Sequence, residues 1–351
     1  LVQITTTAYA LTKQFALTIS RGTHRSNENL WIRIGYQGIE GWGEAAEFST
    51  GHISQSPAQQ EEHLQSLLPI LEPFTPWDHQ QINQILREQH TPSALRAAID
   101  MALYDWRGKK LGVPVWQMWG LQPQPQTPLS VTVGLNTPEL AQQRLEAWLQ
   151  KVQTNWIKVK LGSPQGIRVD QTLFATLQDQ SPSHLRFLVD ANGGWSLADA
   201  MEMSEWLANR QVVYLEQPLA AGREADLKTL KKWSPLPLFA DESCWSRSDI
   251  CSLAESIDGI NIKLMKCGGL TEALAMIATA RAFGLQVMLG CYSESSLANT
   301  AAAQLSSLVD YLDLDSHLNL SNDPFEGATP QNGTLSLPDR SGLGVIHRLG
   351  H

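Results

Sequence analysis

Cysteine is scarce in this chain: four residues in 351, none before Cys244 and no two spaced as CxxC. Cys244, Cys251, Cys267 and Cys291 therefore offer no paired framework for a disulfide or a zinc ion, and reduced thiols in a cytoplasmic protein are expected. Long apolar runs are missing too; no stretch approaches the ~18 residues of a membrane span. The opening LVQITTTAYALTKQF has no basic start followed by an unbroken apolar core, so no secretory signal is expected. Positive charge is thin, with 26 Lys and Arg against 35 Asp and Glu, a net charge of −9 and no basic run. That balance does not point to a nucleic-acid surface, and no nucleic-acid partner is expected.

The chain does contain two patterns in succession. The first forty-odd residues alternate as strands do, and the turn-like YQGIEG between two apolar runs predicts a hairpin. Residues 57–120 read as helices. In ALRAAIDMALYDWRGKKLG the residues Leu95, Ala98, Ile99, Ala102, Leu103 and Trp106 form one stripe, with Gly108 and Gly112 near the end where a left-handed cap is cheap. Strands followed by helices predict an α+β capping domain over residues 1–120. The connector LQPQPQTP (121–128) opens the next region.

From there strand and helix signals alternate. Strands are predicted near 129–134, 156–161, 185–190, 212–216, 237–241, 259–264, 285–290 and 310–315, and helices between them, for example 138–152, 197–209 and 270–283. Eight strands with seven helices predict a (β/α)7β TIM-type barrel over 121–320. The Gly-, Asn- and Pro-rich tail, 321–351, is expected to return to the capping domain.

Five charged residues recur at the ends of these strands: Lys160, Asp190, Glu216, Asp241 and Lys263. They stand 30, 26, 25 and 22 residues apart, each interval about one βα unit. Singly, each acid reads as a helix cap or a surface group, and each lysine as a solvated side chain. Together, three carboxylates on consecutive strands repel one another unless a hard divalent cation with oxygen ligands joins them, and an open site favours magnesium. Strands two and six lie on opposite walls of an eight-stranded barrel, so Lys160 faces Lys263. Lys158 shares the inward face with Lys160, and two like charges there are expected to lower each other's proton affinity, as a base requires. Two bases flanking a carbon acid allow removal of a proton on one side and its return on the other. On strand eight, YLDLDS places Asp313 and Asp315 on one face, where an α-ammonium group or bulk solvent would serve equally.

These residues resemble the enolase superfamily, muconate-lactonising-enzyme subgroup, and within it the dipeptide epimerases of the L-Ala-D/L-Glu type. The likeness spans nearly the whole chain and is carried by GWGEA, AAIDMALYDWRGKKLG, IKVKLG, VDANGGW, LEQP, ADES, NIKLMKCGGL and the DLD of strand eight. It implies that Lys160 and Lys263 are the acid/base pair, that Asp190, Glu216 and Asp241 hold one Mg2+ per subunit, and that proton transfer passes through a metal-stabilised enediolate. It also implies that Lys158 assists the metal-bound carboxylate and that Asp313 and Asp315 bind the dipeptide ammonium. Arg21, in ISRG, would reach an acidic substrate side chain, and Ser130 and Ser293 would line the pocket. Two mobile loops, 19–28 and 47–52, would cover the site, and self-association into a homo-oligomer is expected. No His–Asp pair occurs on strands six and seven, unlike the mandelate-racemase subgroup. An Ala-Glu dipeptide is the default substrate. An o-succinylbenzoate synthase-type lyase or an N-acylamino acid racemase would use the same scaffold but leave Asp313 and Asp315 without a cation. A non-catalytic binding barrel would not keep the full charged set.

Overall fold

The computed structural model describes residues 3–50, 53–122 and 126–348. Three antiparallel strands come first: β1 (Gln3–Ile19), β2 (Gly22–Tyr36) and β3 (Ile39–Ala45). The β2–β3 hairpin turns at Gln37 and Gly38, both left-handed at φ 51° and 74°, the geometry that matches the twist of the flanking strands. Three helices follow, α1 (Pro57–Leu71), α2 (His79–Glu88) and α3 (Ser93–Leu111).

The apolar stripe of α3 is buried at every one of its six positions. Gly112 ends the helix in the left-handed region at φ 73°. Gly108 instead makes room for the C-terminal tail, since a Cβ there would lie 2.6 Å from Gly342 Cα. The tail is fastened to α3 through Asp105, which accepts the Leu343 N–H at 2.8 Å. The same Asp105 accepts the Trp42 N–H of β3 at 2.9 Å, and α3 lies directly on that strand. A Cβ at Gly43 would approach Ala98 O to 1.9 Å, so only glycine allows strand and helix backbones this close.

Eight parallel strands form the barrel: Ser130–Val133, Trp156–Lys160, Arg186–Asp190, Leu215–Glu216, Leu238–Ala240, Gly259–Lys263, Gln286–Gly290 and Tyr311–Asp313. Each pairs with the next in chain order. Closure comes from strand eight, where Leu312 bridges Leu129 and donates to Pro128 O at 3.0 Å.

Alternation sorts the side chains. Ile157, Val159, Ile260 and Ile262 are fully buried in the main hydrophobic core. Inside, Leu188, Tyr214, Phe239 and Met288 form a separate apolar plug, with Trp156 and Tyr311 against it. The charged layer stands on that plug, so water cannot reach it from below. Among the described residues no helix is long and apolar enough to cross a membrane.

The segment 19–28, expected to cover the site, forms the tip of the β1–β2 hairpin, with only Ser20 and Arg21 between the paired strands. Backbone pairing runs up to Ile19 and Gly22, with a register shift between Thr12 and Leu17. Of 47–52, residues 48 and 49 form a short strand, and 51–52 lie outside the described residues, as do 123–125 of the connector.

Candidate active site

Register places the charged groups on one level. Lys160 pairs with Asp190 and Asp190 with Glu216 across adjacent strands. On the other wall Lys263 pairs with Gly290 and Gly290 with Asp313. Asp241 follows directly on strand five.

The carboxylates of Asp190, Glu216 and Asp241 converge, with one oxygen of each within 4.8 Å of the others. All three are fully buried. Lys160 Nζ donates to Asp190 Oδ2 at 2.6 Å and Lys263 Nζ to Asp241 Oδ2 at 2.7 Å. Asp241 Oδ1 accepts from Lys266 at 2.6 Å, and Glu216 Oε1 from Asn261 at 2.8 Å. Glu216 Oε2 has no aligned hydrogen-bond donor, although Lys158 Nζ lies 2.7 Å away.

Burial, reinforced by Asp190, pushes the Glu216 carboxyl up to about 8. For Asp241 burial is outweighed by Lys263 and Lys266, and for Asp190 by Lys160 and Lys158; both lie below the usual carboxylate range. An all-oxygen set of three buried carboxyl groups, one with an oxygen that accepts no hydrogen bond, fits a hard divalent cation.

Lys158 differs from its sequence-based reading. It lies beneath the cavity, fully buried, 2.6 Å from Asp313, 2.7 Å from Glu216 and 3.5 Å from Asp190. Burial disfavours its charge, but those three carboxylates prevail and hold it well above the ordinary ammonium range. The mutual depression expected of Lys158 and Lys160 is therefore not met at Lys158, because the surrounding acids outweigh one neighbouring like charge. Lys263 is likewise raised, Asp241 overcoming its burial.

A cavity of about 590 Å3 opens above this floor, and Lys160, Lys263, Asp313, Asp315, Ser293 and Arg21 all line it. Ser130 does not; it is buried behind Asp313, with Oγ 3.2 Å from Leu312 O and 3.4 Å from Asp313 Oδ1. Asp315 Oδ2 accepts the Thr132 N–H at 2.6 Å, and burial together with Asp313 pushes its carboxyl up to about 6. Arg21 Nη1 donates to Asn192 O at 3.0 Å and pairs with Glu242 at 2.9 Å. The hairpin tip thus rests on the carboxylate cluster.

Several site residues escaped the sequence reading. Glu242 is buried beside Asp241, with its carboxyl raised by burial and by Asp241 and Asp190. The three N–H groups of Lys266 share four acceptors within 3.0 Å: Asp241 O and Oδ1, Cys244 O and Asn261 O. Asn192 bridges Asp190 and Glu242 at 3.2 and 3.3 Å. The signal for Asn261 was available, since NIK places it two residues before Lys263 on the same inward face. Glu242 and Lys266 stand just past the strand ends, where a helix-start acid or a solvated lysine is the ordinary reading.

Comparison with known proteins agrees with this architecture. Residues 2–120 match the mandelate racemase/muconate lactonizing enzyme N-terminal domain, and residues 139–348 the enolase C-terminal domain-like family. A hydrophobic dipeptide epimerase from a Flavobacteria bacterium (strain MS024-2A) is 44% identical over 336 residues, 95% of each chain. An L-Ala-D/L-Glu epimerase from Bacteroides thetaiotaomicron is 35% identical, covering 96% of this chain and 86% of its own. A dipeptide epimerase from Enterococcus faecalis V583, solved with Mg and L-Leu-L-Tyr, superposes with a TM-score of 0.91 at 28% identity, covering 98% of this chain and 99% of its own.

Proposed function

The chain belongs to the mandelate racemase/muconate lactonizing enzyme family, and we propose that it is a Mg2+-dependent epimerase of dipeptides acting at the α-carbon of the C-terminal residue. One observation carries this reading: Lys160 and Lys263, on strands two and six of eight, flank a single carboxylate trio and both line the cavity. Asp190, Glu216 and Asp241 would hold the cation. When bound, the cation supplies Lewis-acid stabilisation of the charge that develops on the substrate carboxylate.

The lysines perform the proton transfers. One Nζ takes the α-proton from its side of the cavity, and the opposite Nζ delivers a proton to the other face, which inverts the centre. Asp313 and Asp315 offer negative charge where the peptide's ammonium end would lie. Lys158 fixes Asp313 from below, so Asp315, with its backbone partner, is the freer of the two. Ser293 contributes to the wall, whereas Ser130 supports Asp313 from behind.

For the substrate's second residue we propose an apolar side chain in preference to glutamate. Phe15, Leu17, Ile19, Phe48, Leu140 and Tyr292 line the cavity, and Arg21 is engaged by Glu242. Two relatives at 44% identity carry the name hydrophobic dipeptide epimerase. The four free thiols fit a reducing, cytoplasmic setting, and self-association rests on the family resemblance. A dipeptide panel in deuterated buffer with Mg2+ tests the reading. Exchange of the C-terminal α-hydrogen, fastest for apolar residues and abolished by chelator, is expected. Turnover of a succinyl substrate by dehydration with no dipeptide exchange would replace it with a lyase.

A further inference from the structure

The two lysines differ in their surroundings. Lys160 Nζ is held by Asp190. Lys263 Nζ is held by Asp241 and also lies 4.6 Å from the centroid of the Tyr292 ring. Among the described residues, no such ring contact is made by Lys160. The Tyr292 ring in turn stacks on Phe48, with centroids 4.5 Å apart and planes 11° from parallel, and Phe48 packs against Trp245 at 5.9 Å. Phe48 is 5% exposed and arrives from the N-terminal domain, whereas Tyr292 follows barrel strand seven. Both rings line the cavity.

We propose that Tyr292 is a positioning residue for Lys263, and that Phe48 carries the capping domain's contribution by holding the ring. The inference deepens the epimerase reading and rests on it. Asp241 belongs to the cation-binding trio, so its carboxylate cannot be dedicated to orienting Lys263. An aromatic face attracts an ammonium without competing for the cation and without donating a hydrogen that would divert the lysine's lone pair after deprotonation. Its attraction is also directional, because it places Nζ over the ring and toward the cavity. Lys160 leans on Asp190, a member of the same trio, but among the described residues it meets no ring that would join it to the cap. Proton exchange at the face that Lys263 serves is thereby coupled to the seating of the cap, and exchange at the face that Lys160 serves is not.

The test compares α-hydrogen exchange from the L- and D-epimers of one apolar dipeptide in deuterated water, with Lys263→Ala identifying the epimer that Lys263 serves. Because Tyr292 also lines the substrate cavity, the readout is a ratio: Tyr292→Leu is expected to slow exchange from that epimer ~10-fold more than exchange from the Lys160-served epimer, the size of a desolvated cation–π contact. Tyr292→Phe is expected to retain the wild-type ratio, and Phe48→Ala to reproduce part of the Leu effect. Equal loss from both epimers, or none from either, would overturn the proposal. A second readout does not use turnover: the Lys263 side-chain CH2 resonances in 13C-lysine protein should be shifted by the ring current in wild type and Tyr292→Phe, and not in Tyr292→Leu. Identical resonances in all three would also overturn it. Wild-type protein silent toward every dipeptide would defeat the epimerase reading instead, and the resonance comparison would still decide where Lys263 is held.

Discussion

Lys158, fully buried, is joined by a 2.6 Å ion pair to Asp313 on the cavity wall, which ties barrel strand two to strand eight. The same ammonium lies 2.7 Å from Glu216, so one cation balances acids on two walls. Replacing it with methionine keeps the volume and removes the charge. Breaking a buried pair this way leaves uncompensated anions, and Lys158→Met is expected to lose about 3–5 kcal/mol in a urea titration of the chelator-treated protein. A change below about 1 kcal/mol would show that the pair contributes as little as a surface bridge.

How much of this was legible in the sequence follows from periodicity. Lys160, Asp190, Glu216, Asp241 and Lys263 stood out because each ends a repeating βα unit, and the repeat itself encodes the wall on which each sits. The roles of Lys158 and Ser130 were harder to read, since depth within the barrel decides them. Lys158 and Lys160 share one face, but only the stacking of layers above the Tyr214–Phe239 plug shows that one lines the cavity and the other does not. Arg21's pairing with Glu242 depends on how a hairpin from one domain lands on another, and no local pattern encodes that.

The GWGEA motif was recognisable while its reason was hidden. Gly43 faces the backbone of α3, where a Cβ would meet Ala98 O at 1.9 Å. Gly43→Ala is expected to destabilise the protein by about 3 kcal/mol, the upper end of the range for overpacking, measured as a shift in urea midpoint at unchanged slope. An unshifted midpoint would mean that sheet and helix separate at little cost.

His317 gives a pH dependence that can be worked out. It follows strand eight, is 6% exposed, and lies 3.2 Å from Ala328 O through Nε2. Burial pushes its pKa down to about 4 from 6.5. Between those values the unfolded chain binds the proton and the folded protein does not, so stability from this group is complete above pH 6.5 and falls as pH drops toward 4. The loss amounts to about 3 kcal/mol at 1.36 kcal/mol per pH unit. Comparing urea stability at the two ends for wild type and His317→Gln isolates the contribution; parallel curves would remove it.

The most direct measurement concerns the two lysines themselves. Lys160→Ala and Lys263→Ala are each incubated with the separate epimers of one dipeptide in deuterated water with Mg2+. Each variant should exchange the α-hydrogen of only one epimer, opposite for the two variants, and neither should interconvert them. Complete epimerisation by either variant would contradict a mechanism in which protons leave and return on opposing faces.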